Sequence, residues 1–293
     1  MTAAIDLHIH TTASEDGHTP PAEVFALAKK LGLETIAFTD HDTTAAVHEG
    51  LSLASRYGID FLTGIEMTAT CNNVDVHILG YFIDPDDAGL LSTCKATRDS
   101  RVGQAADRVR MMRSLGFDID FDRVMAVAAG RPPTSSIIME VLRESFRKKP
   151  DRRLAPYIDG AKSASPGLSL FLDYFTPGKP AYVGVDTIDS ADAVGVIRRA
   201  GGLPVLAHPG RLAMEIVDKV LTQGFEGIEV FSTNHTPEDE RFYLDMARKC
   251  GLVVTAGSDF HGPGRKTAPL GGVRAGGVLM VDALRERHAR ILG

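Results

Sequence analysis

Ten side chains that could bind metal ions or carry protons fall at or near the predicted ends of strands. Two of them, His8 and His10, stand two residues apart in the run DLHIH. Side chains two apart on a strand point to the same face, so both imidazoles can reach one point. The other eight are His41, His77, His208, His261, Asp16, Asp40, Glu66 and Asp259. Imidazoles and carboxylates together suit divalent transition metals, so this set predicts a multi-metal site.

Alternating strands and helices must position these side chains. Runs rich in Ile, Val, Leu and Phe predict strands at residues 5–10, 35–40, 61–68, 74–82, 203–209, 227–231 and 253–260. Helical patterns, several with Pro near the start and Gly near the end, cover residues 21–33, 45–58, 191–202 and 237–251. The alternation predicts an α/β fold with a mainly parallel sheet, and seven strands favour a distorted (β/α) barrel over an open sheet. Strand ends share one face in such folds, and sites form there.

The alternation stops between about residues 92 and 180. Helical patterns at 101–116, 121–128 and 135–146 predict an inserted helical subdomain there. We therefore expect a barrel from residues 1–92 and 180–293, and a basic inserted subdomain from 93–179 that could cap a substrate. Residues 95–153 contain 14 Lys and Arg but only 8 Asp and Glu, whereas the whole chain carries a net charge of −6. A basic insertion suits an anionic substrate, and a solvated helix face is the alternative explanation.

Composition restricts the class of partner. The net charge of −6 argues against a protein that binds nucleic acid mainly by electrostatics, but not against a small phosphorylated substrate. The three cysteines are widely spaced and form no CxxC pair, which favours a reduced, cytoplasmic setting. Neither a signal peptide nor an apolar run of roughly 20 residues is apparent, so no membrane association is expected, and no obligate protein partner is evident.

Six short segments occur in an order that resembles one known family. They are HIHTTASEDG, FTDHDT, GIEM, VHILGY, AHPGR and GSDFH, and they extend from residue 8 to residue 261. Their order resembles the PHP (polymerase and histidinol phosphatase) family. The resemblance is strongest to a stand-alone bacterial branch of nucleoside 3′,5′-bisphosphate phosphatases, some of which act as 5′→3′ exoribonucleases on short RNA. That branch also has an inserted helical segment near a Gly-Arg-Pro, which matches residues 130–132.

The resemblance implies a distorted seven-stranded (β/α) barrel of PHP type. It also implies that this barrel holds a trinuclear metal centre. The first ion would be held by His8, His10, Glu66 and Asp259, the second by Glu66, His77 and His208, and the third by Asp16, His41 and His261. Mn²⁺ is the expected ion, with Fe, Zn and Mg as alternatives. Many relatives read Ser-Asp-Gly where this chain reads Ser14-Glu15-Asp16-Gly17. Either Glu15 or Asp16 could therefore be the ligand, and Asp16 is preferred because it keeps the acid beside Gly17.

The chemistry expected of such a centre is hydrolysis of a phosphomonoester by a metal-bridging hydroxide, with Glu66 and Asp259 as the catalytic carboxylates. His235 is a candidate general acid or phosphate ligand, and its alternative is a solvated loop histidine. Arg131, Thr134, Ser135 and Ser136 could bind a second phosphate at a helix start, or simply cap that helix. Arg211 and Arg265 are further candidate phosphate ligands, and a surface salt bridge is the alternative for each.

Other functions must be weighed against this one. A urease-type amidohydrolase generally bridges its metals with a strand lysine, but no lysine occurs between Lys30 and Lys95. Histidinol-phosphate hydrolysis and polymerase proofreading are alternatives within the same family, although no polymerase accompanies this chain. A non-catalytic metal-binding scaffold is the alternative outside enzymes, and it is disfavoured because all nine ligand positions are filled.

Overall fold

A computed structural model describes residues 4–184, 186–262, 269–273 and 277–292. Within these ranges the chain forms a mixed α/β fold. Its strands are β1 (Ile5–Ile9), β2 (Thr35–Phe38), β3 (Asp60–Leu62), β4 (Gly64–Cys71), β5 (Val74–Tyr81), β6 (Leu203–Leu206), β7 (Gly227–Ser232) and β8 (Val253–Gly257). Its α-helices are α1 (Pro21–Leu31), α2 (Val47–Tyr57), α3 (Ala88–Ser114), α4 (Phe121–Ala128), α5 (Ser135–Lys148), α6 (Ala155–Ile158), α7 (Pro166–Leu170), α8 (Ser190–Arg199), α9 (Met214–Leu221), α10 (Pro237–Cys250) and α11 (Val278–Leu292).

The strands form two sheets. The first has the order β1-β2-β3 and is parallel throughout. The second has the order β4-β5-β6-β7-β8, in which β5 runs antiparallel to both of its neighbours. Isolated bridges join Ile9 to Phe260 and His41 to Glu66, so the two sheets meet beside β1 and beside β4. The predicted count of seven strands is not confirmed, because the run at 61–68 is divided between β3 and β4 of different sheets.

The hairpin of β4 and β5 was not anticipated from the sequence. Cys71 pairs with Val74, and the two residues between them, Asn72 and Asn73, have φ of 52° and 61°. Two successive left-handed residues are typical of a tight type I′ hairpin turn, and Asn adopts this conformation more readily than most residues. The expectation of a mainly parallel sheet is therefore wrong at β5.

The predicted helices between the strands are confirmed, with small shifts at their ends. In α1, Pro21 occupies the first turn and Gly32, with φ of 75°, ends the helix in the left-handed conformation. In α10, the side chain of Thr236 accepts a hydrogen bond from the backbone of Asp239, whose carboxylate bonds back to Thr236. None of the helices in the described ranges has the length and apolar character needed to cross a bilayer.

The chain divides into two compact units. One contains the residues up to 95 together with those from 187 onward, and it includes both sheets. The other, Ala96–Asp186, is helical and has its own apolar core, in which Met112, Val124, Ile138 and Leu142 are buried. The helices predicted here are present, although α3 begins at Ala88, earlier than expected.

Candidate metal centre

Glu66 is a fully buried carboxylate in β4 at the centre of the site. Its Oε1 atom lies 2.9 Å from Nδ1 of His77, on the neighbouring strand β5, and 3.1 Å from Nε2 of His208, which follows β6. Burial alone would raise the pKa of the Glu66 carboxyl, but the surrounding imidazoles hold it well below its ordinary value. Glu66 is therefore ionised at neutral pH. Since Glu66 and His77 lie inside strands of a hairpin, the site is not built only from strand ends, as the sequence had suggested.

The second oxygen of Glu66 faces a different set of imidazoles. Oε2 lies 3.1 Å from Nε2 of His8, 3.1 Å from Nε2 of His10 and 3.3 Å from Nδ1 of His41. Asp259 Oδ1 approaches the first two of these rings, at 3.5 Å from His8 and 3.2 Å from His10. Burial lowers the pKa of the His10 imidazole, but the close carboxylates of Asp259 and Glu66 outweigh this and raise it to about 10. The protonated His10 ring is therefore held among carboxylates, in the way that a metal cation would be.

Asp16 and His261 bring a third group of ligand atoms together. Nε2 of His261 lies 3.1 Å from Oδ2 of Asp16, and the His261 ring stacks on His10 with their centroids 4.1 Å apart. Burial raises the pKa of Asp16, but the hydrogen bond from His261 and the nearby imidazoles hold it well below its ordinary value. Asp16 belongs to this group, whereas Glu15, although it lies within the described chain, does not.

The described residues contain three groups whose potential ligand atoms all lie within 4.8 Å of one another. They are His8, His10, Glu66 and Asp259; His10, Asp16, His41 and His261; and His41, Glu66 and His77. Nε2 of His10 and Nδ1 of His41 are buried without a hydrogen-bond partner, because their approach to Glu66 lacks hydrogen-bond geometry. Buried polar atoms left in this way are costly unless another group satisfies them. The side chains present therefore fit divalent metal ions.

Two residues of the site are held in unusual backbone conformations. His208 has φ of 26° and Asp259 has φ of 58°, although neither is glycine. Such conformations cost on the order of 1–3 kcal/mol each and persist where surrounding contacts enforce them. Both residues follow strands of the second sheet, and in both cases the side chain is directed at the ligand cluster. These unfavourable backbone conformations direct the His208 and Asp259 side chains toward the cluster at a cost in folding stability.

Two buried carboxylates that were not predicted from the sequence support the site. Asp6 accepts hydrogen bonds from the backbone N–H and the hydroxyl of Ser258, at 2.8 and 2.6 Å, and from the N–H of Gly271, at 2.8 Å. Glu229 Oε1 lies 3.0 Å from Nδ1 of His8. Both acids are fully buried in strands. A charged residue flanked by apolar ones, as Glu229 is in GIEVF, was the available signal.

His235 is near the site but is committed to the backbone. Its Nδ1 lies 2.8 Å from the carbonyl oxygen of Val230, so Nδ1–H donates there. Its Nε2 accepts the N–H of Gly210 at 3.0 Å, and its ring stacks on Tyr243. Both nitrogens are therefore occupied in a buried position: the proton on Nδ1 is bonded to the carbonyl of Val230, and Nε2 acts as an acceptor. The predicted role of His235 as general acid or phosphate ligand is therefore not supported, and the residue instead fixes the turn after His208.

Arg211 is anchored to Asp259 at the edge of the cluster. Its Nη2 donates to Oδ2 of Asp259 at 3.0 Å and to Oδ1 of Asn234 at 2.8 Å. Asn234 also donates to Oδ2 of Asp259, at 3.0 Å. These bonds hold one oxygen of Asp259 away from the imidazoles and leave Oδ1 facing His8 and His10. About half of the Arg211 side chain remains exposed.

The remaining predicted substrate-binding residues are located as follows. Thr134 is the N-cap of α5 and accepts the N–H of Ile137, which is the structural role considered as its alternative. Ser135 and Ser136 form the first turn of α5, and Arg131 donates to the carbonyl of Ala128 at 3.4 Å. All four lie in the helical unit 96–186. Arg265 lies outside the described residues.

Comparison with known proteins identifies related sequences. Residues 6–121 match the family model named PHP domain. A 3′,5′-nucleoside bisphosphate phosphatase of Chromobacterium violaceum is 33% identical over 296 residues, covering 99% of this chain and 98% of the relative. A phosphoribosyl 1,2-cyclic phosphate 1,2-diphosphodiesterase of Eggerthella lenta is 32% identical over 260 residues, covering 88% and 94%. Proteins of Haemophilus influenzae and Escherichia coli named 5′-3′ exoribonucleases also match.

A solved structure shows the same fold. It is described as an amidohydrolase from Chromobacterium violaceum with bound sulfate and no metal. It superimposes with a TM-score of 0.79 at 31% identity, covering 97% of each chain. The match therefore includes residues of both units of the present chain.

Proposed function

This chain belongs to the PHP family of metal-dependent hydrolases, and we propose that it removes the 3′-phosphate of nucleoside 3′,5′-bisphosphates, leaving the 5′-monophosphate. The observation that carries the chemistry is the convergence of imidazoles and carboxylates on the buried Glu66. The choice of substrate rests on the Chromobacterium violaceum phosphatase, because that relative matches 99% of the chain, including the residues inserted between the strands.

The proposed cofactors are three divalent ions, with Mn²⁺ preferred. The first is assigned to His8, His10, Glu66 and Asp259, the second to Glu66, His77 and His208, and the third to Asp16, His41 and His261. His10 and His41 each belong to two of the three ligand groups, so neighbouring ions would lie close together. When bound, such ions lower the pKa of water and neutralise the charge of phosphate oxygens.

The chain itself would orient the substrate and exclude water. His8, His10 and Glu66 have no exposed surface, so charge at the reacting phosphate would be poorly screened by solvent. Both hydrogen bonds of Arg211 come from Nη2, which leaves Nη1 and Nε to bind phosphate oxygens beside Asp259. We assign Arg131 and the first turn of α5, Thr134 to Ser136, to the second phosphate, with residues 93–179 as the substrate-capping subdomain.

A phosphodiesterase is the second candidate function. It is favoured by the Eggerthella lenta diphosphodiesterase, whose identity to this chain is similar to that of the phosphatase. Exoribonuclease activity on short RNA is a related candidate, supported by relatives at 29% identity. In this chain each of these activities would use the same metal cluster, and they would differ in the group that leaves the phosphorus.

A substrate screen distinguishes the candidates. Purified protein with added Mn²⁺ is incubated with adenosine 3′,5′-bisphosphate, 5′-AMP, short 5′-phosphorylated RNA, a ribosyl 1,2-cyclic phosphate and histidinol phosphate, and the products are quantified by chromatography. We expect the highest kcat/KM for adenosine 3′,5′-bisphosphate, with 5′-AMP and phosphate as products. Preferential turnover of histidinol phosphate or of a diester would contradict the substrate assignment. Metal binding without turnover of any phosphoester would favour a scaffold.

A further inference from the structure

Glu229 is a buried carboxylate in β7 that belongs to none of the three ligand groups. Its two oxygens contact two different residues of the cluster. Oε1 lies 3.0 Å from Nδ1 of His8, and Oε2 accepts the backbone N–H of His208 at 2.9 Å. One side chain therefore connects a side chain on β1 with the backbone of the turn that follows β6.

The chemistry of these atoms fixes which of them donates. A backbone N–H can only donate, and a carboxylate oxygen can only accept. Nδ1 of His8 must therefore carry a proton to bond with Oε1. The neutral His8 ring then has its lone pair on Nε2, the atom that lies 3.1 Å from Glu66 Oε2 and 3.5 Å from Asp259 Oδ1. This is the tautomer in which His8 can bind a metal ion through the nitrogen that faces the cluster.

The hydrogen bond from the backbone N–H of His208 to Glu229 Oε2 helps to determine where the His208 side chain points. This residue has φ of 26° and ψ of 58°, and its Nε2 reaches Glu66 Oε1 at 3.1 Å. The hydrogen bond from its N–H to Glu229 holds the backbone in this left-handed conformation. The same carboxylate thus supports imidazoles that approach opposite oxygens of Glu66.

Close packing keeps Glu229 in this position. A Cβ atom added at Gly257, in the adjacent strand β8, would lie 2.2 Å from His8 Cβ and 2.8 Å from Glu229 Oε1. Only glycine leaves room for the His8 and Glu229 side chains to meet beside that strand. The pair is therefore built into the sheet rather than formed by a mobile surface group.

We propose that Glu229 is a positioning residue of the metal centre, which selects the Nδ1–H tautomer of His8 and holds the backbone of His208. The proposal rests on the metal-binding part of the proposed function and is independent of the substrate. Substituting Gln keeps the size of the side chain but changes its hydrogen bonding. In Glu229→Gln the amide oxygen accepts the N–H of His208, so the NH₂ group faces Nδ1 of His8. The His8 proton then moves to Nε2, where it points at Glu66 and Asp259.

Mn²⁺ binding to the metal-free protein, measured by calorimetry, tests this assignment. We expect Glu229→Gln to weaken Mn²⁺ binding by about 10- to 100-fold, with little change in circular dichroism or in the melting temperature of the metal-free protein. The matched control is Glu226→Gln, which weakens partly buried ion pairs to Arg198 and Arg287 just before the same strand and should leave Mn²⁺ affinity unchanged. A purely structural role would lower the melting temperature of Glu229→Gln without this selective loss of metal.

Two outcomes would overturn the proposal. The first is Mn²⁺ affinity in Glu229→Gln within twofold of the unsubstituted protein. The second needs no variant: ¹⁵N-histidine NMR of the Zn²⁺-loaded protein should show His8 protonated at Nδ1, and protonation at Nε2 would contradict the assignment even if the variant fails to fold. Absence of Mn²⁺ binding by the unsubstituted protein would instead refute the proposed function itself, so the two failures are distinguishable.

Discussion

Replacing Glu66 by Gln should disable metal binding more severely than any other single change in the cluster. Oε1 lies within 3.1 Å of nitrogens of His77 and His208, and Oε2 lies within 3.3 Å of nitrogens of three further imidazoles. An amide offers one oxygen and one NH₂ group. Whichever way it is turned, one set of imidazoles loses an acceptor and faces hydrogens instead. The buried negative charge is lost for both sets.

The size of the effect follows from the burial of these groups. Breaking a fully buried charge pair by removing one partner typically costs about 3–5 kcal/mol. At about 1.4 kcal/mol per tenfold change, we expect Mn²⁺ affinity to fall by roughly 10²- to 10⁴-fold. Phosphate release should fall in parallel at an Mn²⁺ concentration that saturates the unsubstituted protein.

Calorimetric titration and the metal content after gel filtration measure this change. The matched control is Glu144→Gln, which makes the same chemical change in an exposed ion pair with Arg123 in the helical unit. We expect the control to bind Mn²⁺ normally. If Glu66→Gln keeps its metal content and its Mn²⁺ affinity is within threefold of that of the unsubstituted protein, Glu66 is not shared between ions. The assignment of ligands to the ions is then wrong.

Three further results are expected. His235→Phe should lower the free energy of unfolding by about 1–3 kcal/mol, because the carbonyl of Val230 and the N–H of Gly210 lose their partner. The variant should keep the alkaline limb of the pH–rate profile, and loss of that limb would restore His235 as a general acid. Gly257→Ala should destabilise the protein and weaken Mn²⁺ binding, because its methyl group would lie 2.2 Å from His8 Cβ. The control Gly103→Ala, in open space on α3, should raise the melting temperature. Equal melting temperatures of the two variants would show that Gly257 is not needed for packing. In metal-free protein the pKa of His10 is raised to about 10, so the stabilising contribution of the protonated ring is complete below about pH 6.5 and is lost as the pH rises toward 10. Mn²⁺ affinity should rise about tenfold per pH unit for each proton that binding releases. Calorimetry in buffers of different ionisation enthalpy would detect these protons, and a pH-independent affinity would count against this linkage.

The helices and most strands of the first unit could be predicted because their apolar residues recur with regular spacing. The hairpin could not be predicted from apolar spacing, since β4 and β5 look like two parallel strands until the left-handed turn at Asn72 and Asn73 is recognised. The same error put Glu66 and His77 at strand ends, although they lie inside the hairpin.

The candidate ligands could be selected from the sequence because their motifs occur in a specific order, and the structure brings all nine together. Their supporting residues could not be selected in this way. Glu229 lies between apolar neighbours in an ordinary strand, and its importance depends on two partners distant in sequence, His8 and His208. The role predicted for His235 as general acid or phosphate ligand is not supported for a different reason. Its position in a loop suggested an available imidazole, but in the folded chain both nitrogens are bonded to backbone groups.

The proposed function requires that the 3′-phosphate leaves adenosine 3′,5′-bisphosphate and that the reaction needs metal. Metal-free protein is titrated with Mn²⁺ in the presence of this substrate, and the nucleotide products are separated by chromatography. We predict no turnover without metal, activity that rises with bound Mn²⁺, and 5′-AMP as the nucleotide product. Formation of 3′-AMP, or equal activity in excess chelator, would contradict the proposed function.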